Sequence, residues 1–340
     1  MKESIMIKVP LTHLKRLSTS VGLYEHAHMD EPRPEHGYCV DDVSRGLILL
    51  CKESDLDEDS LQLLNVYLGF TLKAITPDGR CHNRMNTQGV WTDRPSTEDC
   101  WGRAIWALGV CAVNAPEEIQ RRRALEGFHT LALASTHDLM ALVFAALGAG
   151  EVLLADPKDV GAKKILLQTR QRVVPLDSNA SWYWPESRLR YSNGSVAQAV
   201  LLTGQALDDA QTIERGIRML DFLIEIETEG DRFSVTPVGG RGPENDKPGF
   251  DQQPIELAAL ANACMLAWTI TGEDKWLAEV HRAWLWFLGV NDVGIKMFIP
   301  DTGAGYDGLH VHGPNLNQGA ESTIAMLSTA QQVRQLAPAF

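Results

Sequence analysis

The sequence lacks the short motifs that bind phosphate or metal ions at fixed spacings. It contains neither GxxxxGK[ST] nor a strand–GxGxxG–helix unit, which argues against a nucleotide or dinucleotide cofactor. Its six cysteines, at positions 39, 51, 81, 100, 111 and 264, include no CxxC pair. We therefore predict reduced, mostly buried thiols and a protein that uses no cofactor.

Positive charge is also scarce. The chain has 31 Lys and Arg residues against 44 Asp and Glu residues, a net charge of −13. Nucleic acids and anionic membranes both attract basic surfaces, so neither is expected as a partner. The sequence shows no signal-peptide apolar region and no apolar run of the ~18 residues that cross a bilayer. We expect a cytoplasmic protein that binds neutral or cationic ligands.

A two-helix pattern recurs along the 340 residues, of which 44% are hydrophobic. Helices rich in small and apolar residues alternate with amphipathic helices that carry one apolar stripe. The first kind begins near residues 41, 98, 137, 194, 255 and 318. The second kind covers residues 61–72, 117–133, 159–173, 213–224 and 276–288.

Six inner helices with five outer partners leave one outer position empty. A short helix at residues 11–17, with leucines at 11, 14 and 17, can fill it beside the last helix at 321–336. We therefore predict an all-α protein, a single (α/α)6 toroid over residues 1–340. An open α-solenoid follows the same packing rules and is the alternative.

Three segments do not fit a helical pattern: residues 78–95, 176–193 and 230–248. The last alternates apolar residues before a Gly-Gly-Arg-Gly-Pro run, which predicts a small β-hairpin and a long loop. Each segment joins an outer helix to the next inner helix. All three should therefore gather at the end of the toroid where the inner helices begin.

Polar side chains mark the start of each inner helix. Any one of them could simply cap a helix or favour the positive end of its dipole. Six such groups at one opening, beside aromatic and basic residues, indicate a binding site. The candidate ligand-binding residues are His36, Tyr38, Asp41, Asp42, Arg45, Trp101, Arg103, Trp182, Trp184, Glu186, Asp251, Gln252, Asn317 and Gln318.

Carboxylates and amides next to aromatic rings are typical of a carbohydrate site, where rings stack on sugars and polar groups bond the hydroxyls. Further aromatic and basic candidates at these loops include Tyr24, Trp91, Tyr191 and His310. The two HxH pairs, at residues 26–28 and 310–312, could each hold a metal, but outside a known strand or helix this is a weak signal. We predict no metal.

Four stretches, HGYCVDDVSRGL, EDCWGRAIWALG, NDKPGFDQQPIELAAL and GPNLNQGAESTIAML, give the chain a family resemblance. It resembles the six-hairpin glycosidase superfamily, and more narrowly a group of bacterial proteins labelled glycosyltransferase-like. The resemblance implies a toroid that acts on a sugar or oligosaccharide, with a separately encoded glycosyltransferase as a candidate partner. Glycosidases of this superfamily commonly invert configuration.

The first hypothesis is therefore an inverting glycoside hydrolase acting on oligosaccharides through two opposed carboxyl groups. Asp99 or Asp138 is the candidate proton donor, and Glu321 is the candidate base that activates water. A sugar epimerase or isomerase is the second hypothesis, in which histidines act as acid and base. The candidates are His36, His137, His310 and His312. A non-catalytic carbohydrate-binding or glycosyltransferase-partner module is the third.

Overall fold

The computed structural model describes residues 9–173 and 181–336, and within these residues it contains twelve α-helices. In chain order they are α1 (Thr12–Leu17), α2 (Val40–Cys51), α3 (Glu58–Lys73), α4 (Asp99–Asn114), α5 (Glu118–Leu131), α6 (Leu139–Ala155), α7 (Val160–Val173), α8 (Asn193–Ala206), α9 (Ala210–Ile226), α10 (Pro254–Thr271), α11 (Lys275–Phe287) and α12 (Ala320–Leu336). Every predicted inner helix begins within two residues of its expected position.

The even-numbered helices form a closed inner ring. Each contacts the next along the chain, and α12 contacts α2, which completes the circle. The odd-numbered helices lie outside, each against its inner partner. The protein is thus an (α/α)6 toroid, as the sequence predicted.

Small residues let the inner helices approach one another closely. A Cβ atom on Gly102 of α4 would collide with the Ala141 carbonyl of α6, and one on Gly109 would collide with the backbone of Gly148. Outer helices need only one buried stripe, as in α9, where Met219, Leu220 and Leu223 are fully buried. This difference explains why the alternation of inner and outer helices could be predicted from the residue types in each segment.

The short helix α1 occupies the sixth outer position. It contacts α12, and the buried His13 ring binds the Gln318 carbonyl through Nε2 at 2.8 Å. The His13 backbone N–H also donates to the Thr302 carbonyl. The N-terminal and C-terminal parts of the described chain therefore close the ring together.

Substituting alanine for Leu14 tests this closure, because its side chain is fully buried in the core. The free energy of unfolding should fall by about 2–5 kcal/mol, the range for a buried leucine cut to alanine. The matched control is Leu133→Ala, at a side chain that is 68% exposed. It should change by no more than about 0.5 kcal/mol. Chemical denaturation would measure both, and equal effects would contradict the closed ring.

Ten short strands lie in loops that lead from outer to inner helices. They form five two-stranded antiparallel sheets. The strands are β1 (Ala27–His28), β2 (Glu31–Pro32), β3 (Tyr38–Cys39), β4 (Arg84–Met85), β5 (Thr228–Glu229), β6 (Arg232–Phe233), β7 (Phe298–Ile299), β8 (Ala304–Gly305), β9 (Gly308–His310) and β10 (Gly313–Asn315). All five sheets gather at the end where the inner helices begin, which we call the mouth.

The loop predictions hold in part. The expected hairpin at 230–248 is a short one, β5–β6, which begins two residues earlier. The hairpins β7–β8 and β9–β10 were not predicted, because residues 296–317 have no clear alternation of apolar and polar residues. Of the predicted loop 176–193, residues 176–180 lie outside the described residues.

One helix corrects the expectation about apolar runs. By length and composition α10 could cross a membrane, with 18 residues and a mean hydropathy of 1.3. Two neighbouring inner helices pack against it, and 67% of it is buried. Burial in the centre of the toroid explains its composition.

Candidate active site at the mouth of the toroid

A central cavity of about 60 Å³ runs along the ring axis below the mouth. Five side chains line its upper end, each from the beginning of an inner helix or the residue before one. They are Arg45, Arg103, Ser192, Ile255 and Glu321. The sequence predicted three of these five as site residues, and the inner ring brings them to one place.

Arg45 links two inner helices through two carboxylates. Its Nη1 lies 2.5 Å from Oδ1 of Asp42, and its Nη2 lies 2.6 Å from Oε2 of Glu321. Burial raises the pKa of Asp42 to about 6, although Arg45 opposes the shift. Glu321 is one-third exposed and lines the cavity, so its carboxylate is accessible to a ligand.

Arg103 lies between two more carboxylates and is almost fully buried. Its Nε is 3.8 Å from Oδ1 of Asp41 and 3.9 Å from Oδ2 of Asp99, while its guanidinium stacks over the Phe144 ring. The other Asp41 oxygen accepts a hydrogen bond from Nδ2 of Asn83 at 3.0 Å. Burial lowers the pKa of Arg103, and the nearby Arg45 lowers it further.

Three buried polar atoms here have no hydrogen-bond partner among the described residues: Nε of Arg45, Nε of Arg103 and Oδ1 of Asp41. Buried polar groups in native proteins are nearly always paired, so each exception requires an explanation. Two of the three, Nε of Arg103 and Oδ1 of Asp41, face each other at 3.8 Å, a distance too long for a hydrogen bond.

Tyr191 and Asp99 form a hydrogen-bonded pair of ionisable side chains. The Tyr191 hydroxyl donates to Oδ2 of Asp99 at 2.5 Å. Burial raises the pKa of Asp99, and burial followed by the Asp99 charge raises the pKa of Tyr191. The pair joins α4 to the residues before α8. These two helices flank α6, which lies opposite α12 in the order of the ring. Neither Asp99 nor Tyr191 is in the lining of the central cavity, and Tyr191 lines two other cavities.

Asp138, the other candidate donor, is an exposed helix cap. Its Oδ1 accepts a hydrogen bond from the Ala141 backbone at 2.7 Å, so its carboxylate is already used as the N-cap of α6. Its charge is one of the minor influences that raise the pKa of Asp99. The placement favours a capping role over the predicted role as proton donor.

Asp138→Ala should therefore lower the free energy of unfolding by about 1 kcal/mol, because an N-cap hydrogen bond is lost. Asp138→Ser should restore most of that loss, since serine also caps helices. Turnover by both variants should stay within about threefold of wild type. A loss of two orders of magnitude in the folded serine variant would return Asp138 to the reaction.

The predicted aromatic platform needs correction. Trp101 is 1% exposed, and its indole N–H donates to the carbonyls of Gly79 and Leu131 behind the inner ring. Trp182 and Trp184 pack against Phe222 on the outer helix α9. None of the three lines the central cavity.

Tyr38 also lies in the core. Its ring is 3% exposed and stacks on Tyr24 with centroids 4.8 Å apart. The neighbouring His36 is exposed at the rim, with its ring edge against His26. Tyr38 therefore supports the loop, whereas His36 remains accessible from the mouth.

The predicted amide residues Gln252, Asn317 and Gln318 make contacts within the loops of the mouth. Gln252 is fully buried and donates to Oδ2 of Asp292 at 2.7 Å. The Asn317 side chain accepts from the Met29 backbone, and the backbone of Gln318 bonds to Met29 and His13. These contacts hold the loops together. Full burial of Gln252 argues against its predicted contact with a ligand, whereas ligand binding by Asn317 and Gln318 stays a prediction.

Two predicted acids lie at the rim, outside the lining of the central cavity. Asp251 is half-buried, its Oδ2 is 3.6 Å from Nε2 of His310, and burial raises its pKa. Glu186 pairs with Arg190 at 2.9 Å. They border the mouth at α8 and α10 and do not touch the two buried arginines.

One group of potential metal ligands occurs among the described residues: Glu25, Cys39 and Asp42, with ligand atoms within 4.8 Å of one another. Arginines already pair with both carboxylates, Arg84 with Glu25 and Arg45 with Asp42. Burial also raises the pKa of the Cys39 thiol, which disfavours the thiolate that binds metals. The donor set does not suit a cation.

The sequence analysis did not predict the places of Tyr191 and Trp106 in the site. Tyr191 was grouped with the aromatic rings, although its hydroxyl binds Asp99. Trp106 follows Arg103 by three residues and shares its face of α4, where it lines the cavity. That spacing was a usable signal.

No protein-family model and no curated protein sequence matches the chain. Solved structures do match it. A sugar epimerase from a ruminal bacterium is 13% identical with a TM-score of 0.72, over 97% of each chain. A D-mannose isomerase is 9% identical with a TM-score of 0.70, over 96% of this chain and 94% of the other. The cellulase Cel9M of C. cellulolyticum, solved with cellobiose, is 9% identical with a TM-score of 0.61, over 93% and 88%.

At these identities the matches establish the fold alone. The six-hairpin toroid is shared with sugar epimerases, a mannose isomerase and cellulases. The narrower resemblance to glycosyltransferase-associated proteins finds no support among them.

Proposed function

We propose that this protein is a sugar epimerase or isomerase with its active site at the mouth of the toroid. The observation that carries the proposal is the pair of buried arginines, Arg45 and Arg103, which line the top of one cavity beside the Glu321 carboxylate. Removing the proton next to a sugar carbonyl puts negative charge on the carbonyl oxygen. Fixed cationic donors stabilise such a charge strongly in a site shielded from water.

Glycoside hydrolysis makes the opposite demand. Its transition state resembles an oxocarbenium ion, which carries positive charge at the sugar ring. Four carboxylates, Asp41, Asp42, Asp99 and Glu321, lie beside the two arginines, so the charge of this cluster does not by itself exclude hydrolysis. The raised pKa of Asp99 still favours the alternative function, an inverting hydrolase in which Asp99 is the acid and Glu321 is the base.

Glu321 is the proposed base. Its Oε atom takes the proton from C2 of an open-chain aldose, and the C–H electrons form the C1–C2 double bond of an enediolate. The negative charge moves to O1, where Arg45 and Arg103 stabilise it. Arg45 Nη2, 2.6 Å from Glu321 Oε2, also fixes the position of this carboxylate.

Tyr191 and Asp99 are the proposed acid on the opposite side. Returning a proton to C2 from their side inverts that carbon and gives the epimer. Moving the O2 proton to O1 and protonating C1 gives the ketose. The raised pKa of Asp99 helps it to hold the proton that it must donate.

The comparisons support ranking the epimerase or isomerase above the hydrolase. The epimerase and isomerase structures match with higher TM-scores than the cellulase, and they match nearly the full length of both chains. A non-catalytic sugar-binding module remains the third candidate. The cytoplasmic location and a glycosyltransferase partner stay predictions.

A screen in D₂O separates the three. Wild-type protein is incubated with D-mannose, D-glucose, D-fructose, 6-deoxyhexoses and cellobiose, and each mixture is followed by ¹H NMR. Isomerisation or epimerisation should produce a new sugar with deuterium at C2 or C1. Release of new reducing ends without exchange at C2 would favour the hydrolase, and line broadening alone would favour the binding module.

A further inference from the structure

The carboxyl group of Glu256 lies in the first turn of α10 and is buried, with 3% of the residue exposed. One oxygen, Oε1, accepts a hydrogen bond from the backbone N–H of Ser192. The other, Oε2, accepts two bonds from Asn193, one from its backbone N–H and one from Nδ2, both at 3.0 Å. Glu256 therefore ties α10 to the turn at residues 190–193, where α8 begins.

These bonds require two acceptor oxygens and do not require a charge. Burial, and next the charge of Glu227, raise the pKa of Glu256 to about 8, while the bonds from Asn193 and Ser192 oppose the shift. A protonated carboxyl group keeps acceptor capacity on both oxygens. The contact between Glu256 and the turn is therefore available to both protonation states.

The turn contains a strained residue. Ser192 has φ 51° and ψ 39°, the left-handed region that a residue with a side chain rarely adopts. Such a conformation persists only where its surroundings hold it. The Glu256 bonds supply that restraint, together with the bond from the Arg190 N–H to Oδ1 of Asn193 at 3.0 Å.

The starts of α8 and α10 pack directly against each other beside this contact. A Cβ atom on Gly194 would lie 2.3 Å from the carbonyl carbon of Ala259 in α10. Ala259 follows Glu256 by three residues and so lies on the same side of the helix. Close backbone packing thus keeps Glu256 next to the turn.

Tyr191 precedes the strained residue, so the turn decides where its side chain lies. Its hydroxyl reaches Oδ2 of Asp99 on α4 at 2.5 Å. Tyr191 also borders two cavities, of about 240 and 420 Å³, on the side of residues 236–240. Because there is open space beside Tyr191, packing alone does not hold it against Asp99, and a relaxed turn would let it move away.

We propose that Glu256 is a positioning residue, which holds the left-handed turn at Ser192 and thereby keeps the Tyr191 hydroxyl bonded to Asp99. The kinetic consequence rests on the proposed function, in which the Tyr191–Asp99 pair is the acid. Glu256 bonds to the turn and acts on the reaction through Tyr191. Loss of this contact should therefore affect turnover more than sugar affinity.

The position of Tyr191 can be followed without turnover. The protein has six tyrosines, so ¹³C labelling at tyrosine Cζ gives few NMR signals, and the signal lost in Tyr191→Phe identifies Tyr191. Asp99→Asn marks the shift that follows removal of the carboxylate acceptor. Glu256→Gln should move the Tyr191 signal in the same direction, by about half as far or more, because its NH₂ group cannot accept a bond from the turn.

Glu227→Gln is the matched control. Glu227 is 1% exposed, and its oxygens also accept bonds from a backbone N–H and a side chain, both of Thr236. This variant should leave the Tyr191 signal in place. If Glu256→Gln does not fold, as judged by circular dichroism, Glu256→Asp tests the same contact, since its shorter side chain withdraws the carboxyl group from the turn.

A double-mutant cycle on kcat separates positioning from general support of the fold. Glu256→Gln should lower kcat by about 10- to 100-fold, at the lower end of what a positioned acid contributes, with KM within about threefold of wild type. The loss should not exceed that of Tyr191→Phe. In the Tyr191→Phe background the same substitution should cost less than about twofold, because the residue through which it acts is already lost.

A Tyr191 signal that stays in place in the folded Glu256 variant would overturn the proposal, as would an equal loss of kcat in both backgrounds. Failure of the proposed function looks different. There, wild type would put no deuterium at C2 or C1 of any sugar, but the Tyr191 signal would still move in Glu256→Gln. Turnover by wild type with an unmoved Tyr191 signal would retain the reaction and reject Glu256 as a positioning residue.

Discussion

Replacing Arg45 by methionine is expected to lower the free energy of unfolding by about 3–5 kcal/mol at pH 8, the usual result of leaving a buried charge without its partner. Asp42 is 3% exposed, and its Oδ1 bonds to Arg45 at 2.5 Å. Methionine keeps most of the volume and removes the cation. Among the residues that the structure describes, the buried carboxylate then keeps only the Cys39 thiol as a side-chain donor.

The loss should depend on pH. Burial raises the folded-state pKa of Asp42 to about 6, above its unfolded value near 3.8, so the folded state binds the extra proton. The contribution of this group to stability therefore falls as pH rises from about 4 to 6. Without Arg45 the folded pKa rises further, so the fall should continue to higher pH. The destabilisation should consequently be much smaller at pH 5 than at pH 8.

A double variant supplies the control. Arg45→Met combined with Asp42→Asn removes both charges and should recover most of the stability at pH 8, with little dependence on pH. Urea denaturation at pH 5 and pH 8 measures all three proteins. An Arg45→Met variant as stable as wild type at pH 8 would show that the pair does not hold the mouth together.

The second large effect is expected at Asp99, the proposed acid. Asp99→Asn should lower kcat by about 10²- to 10⁴-fold, the usual contribution of a positioned acid or base, while sugar affinity changes little. Tyr191→Phe should lower kcat less if Asp99 donates the proton, and as much if the tyrosine hydroxyl does. The two substitutions together should cost no more than the larger single effect, because the residues act as a unit.

Asp138→Asn is the matched control for Asp99→Asn. It removes a carboxylate at the start of the next inner helix but leaves the Asp99–Tyr191 bond in place. Steady-state kinetics on the sugar identified by the D₂O screen would compare them. Loss of activity in Asp138→Asn with full activity in Asp99→Asn would reverse the assignment.

The fold was predictable because its determinants are local. Small residues at close helix contacts, apolar stripes on outer helices and polar residues at helix starts all appear in short windows of sequence. The number of repeats then implied a closed ring, and the short helix at 11–17 supplied the missing outer member. The hairpins at 298–315 escaped prediction because their strands are only two or three residues long.

The site was only partly predictable, because the direction in which a side chain points matters as much as its position in the sequence. Asp99 and Arg103 are four residues apart and share one face of α4, whereas Trp101 points away from that face into the core. Trp182 and Trp184 lie in a polar loop, but Phe222, on a distant outer helix, provides their packing surface. The bond from Tyr191 to Asp99 joins residues 92 positions apart, which only the closed ring brings together.

The proposed reaction is tested most simply by the rate at which deuterium enters C2 of the sugar in D₂O, compared between wild type and Glu321→Gln. If Glu321 is the base at the mouth, wild type should exchange the C2 proton during turnover. The glutamine variant should exchange at least 10²-fold more slowly while binding the same sugar with a similar dissociation constant. Exchange at the wild-type rate in Glu321→Gln, or conversion of the sugar by wild type with no deuterium at C2 or C1, would contradict the proposed reaction.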